Sequence, residues 1–286
     1  MSAWTTYDWL YLCSDPRRLA ITLRALPKEP LRGLRVMQIC WASHLDPPER
    51  PGQLGRIADS FLAPRWLQYE LTDLSPLKGC LPERLQAYWN TGKKRWSLGM
   101  KLLMPYILED HETPYLYTDD DVLITRDPRE WIAETQYGFG SKGCFRFDGR
   151  KRSIAEQLFT AFDVDVPVGG EQAWDRYDRH ALDAGVWFNR NVIGTSRWSI
   201  YLDRFARMPY LADLTTHNLE LRCLDQRFLT CFGIRHGWDQ RTIGNGFAPP
   251  RAVTERLLTR HPFFHYKSSS KEAWMRLLEA YLDSRG

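Results

Sequence analysis

Apolar residues fall along this chain in short blocks whose length and period predict the elements. Trp9 to Cys13 is a compact apolar run that stops at Ser14-Asp15-Pro16, the pattern of a buried strand ending at a polar turn. Arg18 to Leu26 predicts a helix and Leu34 to Cys40 a second strand, so the order points to an α/β fold with a mainly parallel sheet. Residues 42 to 65, rich in Pro, Gly and charge, read as a long connection. Trp96 to Leu108 predicts a nearly all-apolar helix with Pro105 at a kink or near its end. Strand-like flanks, Thr113 to Thr118 and Val122 to Ile124, then bracket three adjacent aspartates. Ala184 to Phe188, introduced by Asp183, is a further strand, and Lys271 to Leu282 a C-terminal helix. With no internal repeat, the expected organisation is a single domain over residues 1–286, closed by that helix at about 271–284.

The polar positions that interrupt this pattern carry the candidate chemistry. Lys101 is the only charge on its helix, and a lysine there needs an anion or an exit to water along its own stem. Asp119, Asp120 and Asp121 repel one another and lose hydration between apolar flanks unless something positive offsets them. On an extended backbone, residues two apart share a side, so Asp119 and Asp121 converge on one cation while Asp120 points away. Oxygen-rich ligation suits Mg²⁺ or Mn²⁺ with positions left for phosphate oxygens. Ligands of α/β sheets bind at the carboxyl ends of strands. A solvated acidic turn is the alternative, and the tight apolar bracketing weighs against it.

Composition narrows the classes. The chain of 286 residues is long enough for a large core. Its net charge of +4 permits an anionic ligand but falls short of a nucleic-acid-binding signature. Twelve tryptophans serve cores or sugar stacking, with Trp187 and Trp238 open to either use. Six cysteines without a C-x-x-C pair form neither a zinc site nor a small disulfide framework, and fit buried free thiols. No basic segment followed by an apolar run opens the chain, and no apolar stretch nears the roughly 20 residues of a membrane span. No membrane span and a cytoplasmic location are therefore expected. Phe145 to Arg152 interleaves aromatic and basic residues, as a contact for an anionic acceptor or as a solvated loop.

Four segments together resemble a family. Leu116-Tyr117-Thr118-Asp119-Asp120-Asp121-Val122-Leu123-Ile124 is similar to the Asp-x-Asp strand of GT-A glycosyltransferases, particularly the glycogenin and galactosyltransferase-like group, family 8. Asp183-Ala184-Gly185-Val186-Trp187-Phe188-Asn189 is similar to its Asn-Ser/Ala-Gly-Val strand, and Leu224-Asp225-Gln226-Arg227-Phe228-Leu229 to its Asp-Gln-Asp-x-Leu segment. His265-Tyr266-Lys267-Ser268-Ser269-Ser270-Lys271 keeps the spacing of its His-x-x-Gly-x-x-Lys segment, and the Lys101 helix falls where the group has an Arg-bearing one. Ser268 stands for Gly, Glu272-Ala273-Trp274 for Pro-Trp, Lys101 for Arg and Asp183 for Asn, which leaves the donor sugar open.

The resemblance implies a GT-A fold, Rossmann-like with a mixed central sheet, and metal-dependent transfer from a nucleotide-sugar donor, expected to be a UDP-hexose, with retention. It implies Asp119, Asp121 and His265 as ligands of Mn²⁺ or Mg²⁺. Lys271, Lys101, Asp120 and Asp15 are implied as donor-binding residues, and Asp183, Asp225 and Gln226 as the groups around the transferred sugar. Asp15 and Asp225 also read as helix N-caps, Lys271 as a solvated residue opening a helix, and His265 as a packed histidine. Acceptors left open are a saccharide, a protein or a modified nucleic acid such as a hydroxymethylated base. A metal-dependent phosphodiesterase or nuclease and a non-catalytic binding module are the competing classes.

Overall fold

The computed structural model describes residues 5–13, 15–28, 31–90, 96–108, 112–143, 152–166, 181–190, 195–209, 224–246, 250, 252–266 and 271–285. In chain order it forms β1 (Tyr7–Leu12), α1 (Pro16–Ala25), β2 (Leu34–Trp41), α2 (Arg50–Leu62), β3 (Tyr69–Asp73), α3 (Glu83–Asn90) and α4 (Trp96–Leu103). Then come β4 (Tyr115–Asp119), β5 (Val122–Ile124), α5 (Arg129–Glu134), β6 (Gly138–Lys142), α6 (Arg152–Ala161), β7 (Leu182–Asn189) and α7 (Thr195–Ala206). The last are α8 (Leu224–Arg235), β8 (Asp239–Arg241), β9 (Gly244–Asn245), α9 (Glu255–Leu258), β10 (Phe263–His265) and α10 (Lys271–Asp283).

β1 is buried at every position because it runs through the middle of a sheet with a core on each face. Leu10 and Leu12 point into a core with Tyr117, Trp187, Met100 and Phe228. Tyr7, Trp9 and Tyr11 point into the opposite core with Met37, Leu116, Phe139 and Phe188, as the two-residue period of a strand requires. Neighbouring strands run in the order β3-β2-β1-β4-β7-β6-β8. β1, β2, β3 and β4 are mutually parallel, β7 is antiparallel to β4 and β6, and β8 is parallel to β6. The sheet is thus mixed and flanked by helices, as a Rossmann-like GT-A architecture requires.

A second, smaller sheet has the order β5-β10-β9. β4 and β5 are separated by two residues yet belong to different sheets, so the chain changes sheet at Asp120-Asp121. α10 packs on the small sheet through Trp274, Met275 and Leu278, with the Trp274 ring 5.4 Å from that of Phe264.

Two expectations are corrected and one left open is decided. Residues 42–65 are not one connection: they contain α2, where Leu54, Ala58 and Leu62 recur every four residues and are buried. Pro51 lies in its first turn, where a missing N–H is harmless, so its breaker character misleads. The apolar segment 96–108 is helical only to Leu103; Pro105 lies in a 3₁₀ turn, Met104–Tyr106. Trp187 and Trp238 are core residues rather than stacking surfaces: both are buried, and Trp187 stacks on Tyr117 with ring centroids 3.7 Å apart. Among the described residues Cys13, Cys40 and Cys231 are buried free thiols and Cys80 is exposed, and no helix is long and apolar enough to cross a membrane.

Candidate active site

The strand order 3-2-1-4 reverses the direction of winding between β1 and β4, and their carboxyl ends flank a crevice of the kind that takes ligands in such sheets. Leu12 of β1 lies opposite Asp119 of β4, so the turn after each strand faces that crevice. After β1, Asp15 caps α1: its Oδ1 accepts from the Arg17 N–H at 2.8 Å, with Pro16 in the first helical position.

Asp119 closes β4. Its Oδ2 accepts from Lys101 Nζ at 2.7 Å and its Oδ1 from the Tyr117 hydroxyl at 2.5 Å. Lys101 also donates to Asp225 Oδ2 at 3.1 Å, from α4 to the first turn of α8. The lone lysine of the apolar helix therefore meets two anions in the interior instead of snorkelling out; it is 8% exposed. Burial pulls its pKa down, and Asp119 and Asp225 reverse this to hold it above the ordinary value. Burial, with Asp121 nearby, raises the Asp119 carboxyl against the pull of Lys101. Asp225 is in the first turn of α8 rather than at its N-cap.

The backbone turns at Asp120 and Asp121, so the same-side alternation expected of an extended triplet does not hold. Asp120 is held by Arg18, whose Nη1 is 2.9 Å from each carboxylate oxygen, and its carbonyl accepts from the Tyr266 hydroxyl at 3.0 Å. Asp121 is brought to His265 by strand pairing: His265 lies opposite Val122, and the Tyr266 N–H donates to the Asp121 carbonyl at 3.1 Å. Lys271, the first residue of α10, donates to Asp121 Oδ2. Burial pushes the Asp121 carboxyl up, but His265 and Lys271 overcome this and hold it well below the usual carboxylate range.

β7 supplies the floor. A Cβ on Gly185 would lie 2.8 Å from His265 Cε1 and 3.2 Å from Asp183 Oδ1, so a residue without a side chain lets the imidazole lie against this strand. The buried Asp183 accepts from the Gly185 N–H at 2.9 Å. Gln226 follows Asp225, half-buried, and its carbonyl accepts from the Thr230 hydroxyl at 2.7 Å.

The fold thus gathers Lys101, Asp119 and Asp225 into one ionic group and Asp121, His265 and Lys271 into a second, with Asp183 beside His265. Sequence reasoning missed Arg18, Tyr117 and Tyr266. Only Tyr117 left a signal, two residues before Asp119 on the same face of β4. Arg18 meets Asp120 across 102 positions, which no local pattern reveals. Residues 145–151 and 268–270 lie outside the described residues, as does the side chain of Arg152.

The donor set suits a hard divalent ion with one imidazole. His265 Nε2 lies 3.0 Å from Asp121 Oδ1, close to the roughly 3 Å that separates two adjacent ligand atoms of an octahedral ion at about 2.1 Å. Apart from that contact, Asp121 Oδ1 is buried without a hydrogen-bond partner among the described residues. Asp121 and His265 therefore fit such an ion as they stand. Asp119 is turned to Lys101 and Tyr117, and among the described residues no three His, Cys, Asp or Glu side chains are gathered closely enough to hold one.

No protein-family model matches this sequence, and no curated protein matches it. Among solved structures it is similar to mouse xyloside xylosyltransferase 1 in its apo form, at 14% identity over 93% of this chain and 99% of that chain, with a TM-score of 0.52. It is similar to the galactosyltransferase LgtC in complex with donor and acceptor sugar analogues, at 14% identity over 97% and 95% of the two chains, with a TM-score of 0.52. An active-site mutant of LgtC gives 12% identity over 96% and 95%, with a TM-score of 0.54. At such identities the likeness is one of fold: the chain has the mixed α/β fold of the GT-A type, shared over nearly its whole length with enzymes that transfer sugars.

Proposed function

We propose that this chain is a metal-dependent glycosyltransferase that moves a hexose from a UDP-sugar to an acceptor hydroxyl with retention, as a single domain working in the cytoplasm. The observation that carries this reading is the pair of buried ionic groups at the carboxyl end of β4, where a GT-A fold opens its crevice. Four carboxylates and an imidazole lie there with two lysines, a balance that suits a cation and a diphosphate arriving together.

In this reading Asp121 and His265 would hold Mn²⁺ or Mg²⁺, joined by Asp119 once it turns from Lys101 and Tyr117, and the ion would supply positive charge to the departing diphosphate. Lys271 exchanges its contact with Asp121 for diphosphate oxygens, acting as a point charge. Lys101 holds the Asp119 and Asp225 carboxylates in place through its two contacts. Asp15, which caps α1, and Asp120, which opens the turn after β4, contact the nucleoside side of the donor. Asp183, Asp225 and Gln226 hydrogen-bond the sugar, and Asp225 or Gln226 faces the anomeric carbon, where preorganised dipoles stabilise an oxocarbenium-like state.

Calorimetric titration of UDP with and without Mn²⁺, on wild type and Asp121→Asn, tests the reading. Metal-dependent UDP binding that disappears in the variant is the expected result. Absence of binding by UDP and by every other nucleoside diphosphate would refute it, and phosphodiester cleavage without nucleotide-sugar binding would favour a metal-dependent phosphodiesterase.

A further inference from the structure

α8 carries a second charged side chain that the donor site does not use. Arg227 follows Gln226 and is 4% exposed, yet its Nε and Nη1 have no hydrogen-bond partner, and no carboxylate pairs with it among the described residues. The other buried cations of this region have their anions: Lys101 holds Asp119 and Asp225, and Arg18 holds Asp120. A guanidinium in the interior without an anion is strongly unfavourable, because its hydration is lost and nothing replaces it.

Helix geometry sets its direction. At about 100° per residue, Arg227 lies on the side of α8 roughly opposite Asp225, with Gln226 between them. It shares its face with Cys231, whose thiol feels its charge, and with Thr230, whose hydroxyl accepts from the Leu182 N–H at the start of β7, next to Asp183. The Arg227 side chain therefore leaves α8 on the side away from Asp225, the partner of Lys101.

We propose that Arg227 is the counter-charge for an anionic group on the acceptor, which makes the acceptor an acidic saccharide bearing a carboxylate or a phosphate. This rests on the glycosyltransferase reading for the identity of the site, while the anion subsite itself is testable alone. A planar guanidinium with open donors matches an oxyanion in two-pronged fashion, and a neutral sugar offers it nothing of comparable strength. In the proposed donor site the diphosphate already has its cation in Lys271, which lies on Asp121. The chain's net charge of +4 also suits an acidic substrate.

The experiment compares wild type, Arg227→Met and Arg227→Lys by thermal unfolding and calorimetry with glucuronic acid, glucose 6-phosphate, glucose and a single-stranded oligonucleotide, each with and without UDP and Mn²⁺. Without ligand, Arg227→Met is expected to melt above wild type, since it removes a buried charge that no carboxylate among the described residues pairs. Wild type is expected to bind an acidic sugar about tenfold or more tighter than glucose, a preference lost in Arg227→Met and kept in part by Arg227→Lys. The carboxylate and phosphate arms decide which oxyanion is taken. Equal binding of acidic and neutral sugars, a preference that survives in Arg227→Met, or a melting point of Arg227→Met below wild type would overturn the proposal. Tighter binding of a single-stranded oligonucleotide than of either acidic sugar would overturn its saccharide assignment. A persistent acidic-sugar preference with no UDP binding would instead refute the donor reading alone.

Discussion

Replacing Lys101 with methionine keeps the buried stem and removes the ammonium from between two carboxylates. Its Nζ lies 2.7 Å from Asp119 Oδ2 and 3.1 Å from Asp225 Oδ2. At an effective dielectric of about 20 these separations correspond to attractions of roughly 6 and 5 kcal/mol. Desolvating three ions offsets most of that, so the assembled group is near balance, but removing only the cation leaves Asp119 and Asp225 facing a low-dielectric interior. Such one-sided truncations cost about 3–5 kcal/mol. The side chains of Asp119 and Asp225 keep 17% and 14% exposure, which puts this case at the lower end, about 3 kcal/mol. The assay is urea unfolding at neutral pH of wild type, Lys101→Met, Asp225→Asn and the double variant. Coupling of about 1–3 kcal/mol between the two positions is expected, because the double variant has one fewer orphaned carboxylate. Mn²⁺ is expected to stabilise Lys101→Met more than wild type, since a divalent ion on Asp119 replaces the lost charge. A loss below about 1 kcal/mol with additive single effects would refute the reasoning and mark the group as screened by solvent.

Gly185→Ala places a Cβ 2.8 Å from His265 Cε1, so the ring must move by several tenths of an ångström; about 1–3 kcal/mol of stability and most of the Mn²⁺-dependent UDP affinity should be lost, and calorimetry at wild-type affinity would contradict this. Gly246→Ala drives a Cβ into the Trp274 ring and should loosen α10 from the small sheet, lowering the melting temperature; an unchanged melt would sink that view. His236, half-buried beside Phe232 and Tyr201, has a folded pKa lowered to about 4 by burial, then by Arg235 and Arg197. The unfolded chain therefore takes up the proton first on acidification. The stability that His236 contributes is complete above about pH 6.5 and is lost as pH falls toward 4, by roughly 1–2 kcal/mol after allowance for solvent screening. His236→Phe should flatten unfolding free energy across that window, and an unchanged acid slope would exclude His236 as its source.

Local pattern was sufficient for the parts of this protein whose cause is local. The apolar run of β1, the Asp15-Pro16 start of α1 and the acidic interruption after Tyr117 are consequences of burial, capping and charge repulsion acting within a few residues, and each is legible in order along the chain. So was the demand of Lys101 for an anion or an exit to water, because an isolated charge on an apolar helix is costly wherever that helix packs. α2 was hidden because Pro51, Gly52 and Gly55 suggest breakage, while burial of Leu54, Ala58 and Leu62 against the sheet outweighs their weak helix preference.

Partner identity was a different matter. That Lys101 meets Asp225 across 124 positions, that Arg18 takes Asp120, and that Gly185 makes room for His265 follow from which strands lie side by side and where the chain changes sheet. The turn at Asp120-Asp121 divides the aspartate triplet among Lys101, Arg18 and Lys271, whereas an extended strand would have sent two of them to one side. Sequence by itself determined which residues must be neutralised; tertiary structure decided what neutralises them, because electrostatic pairing acts through space over a few ångströms while sequence distance sets no limit on which groups the fold brings that close.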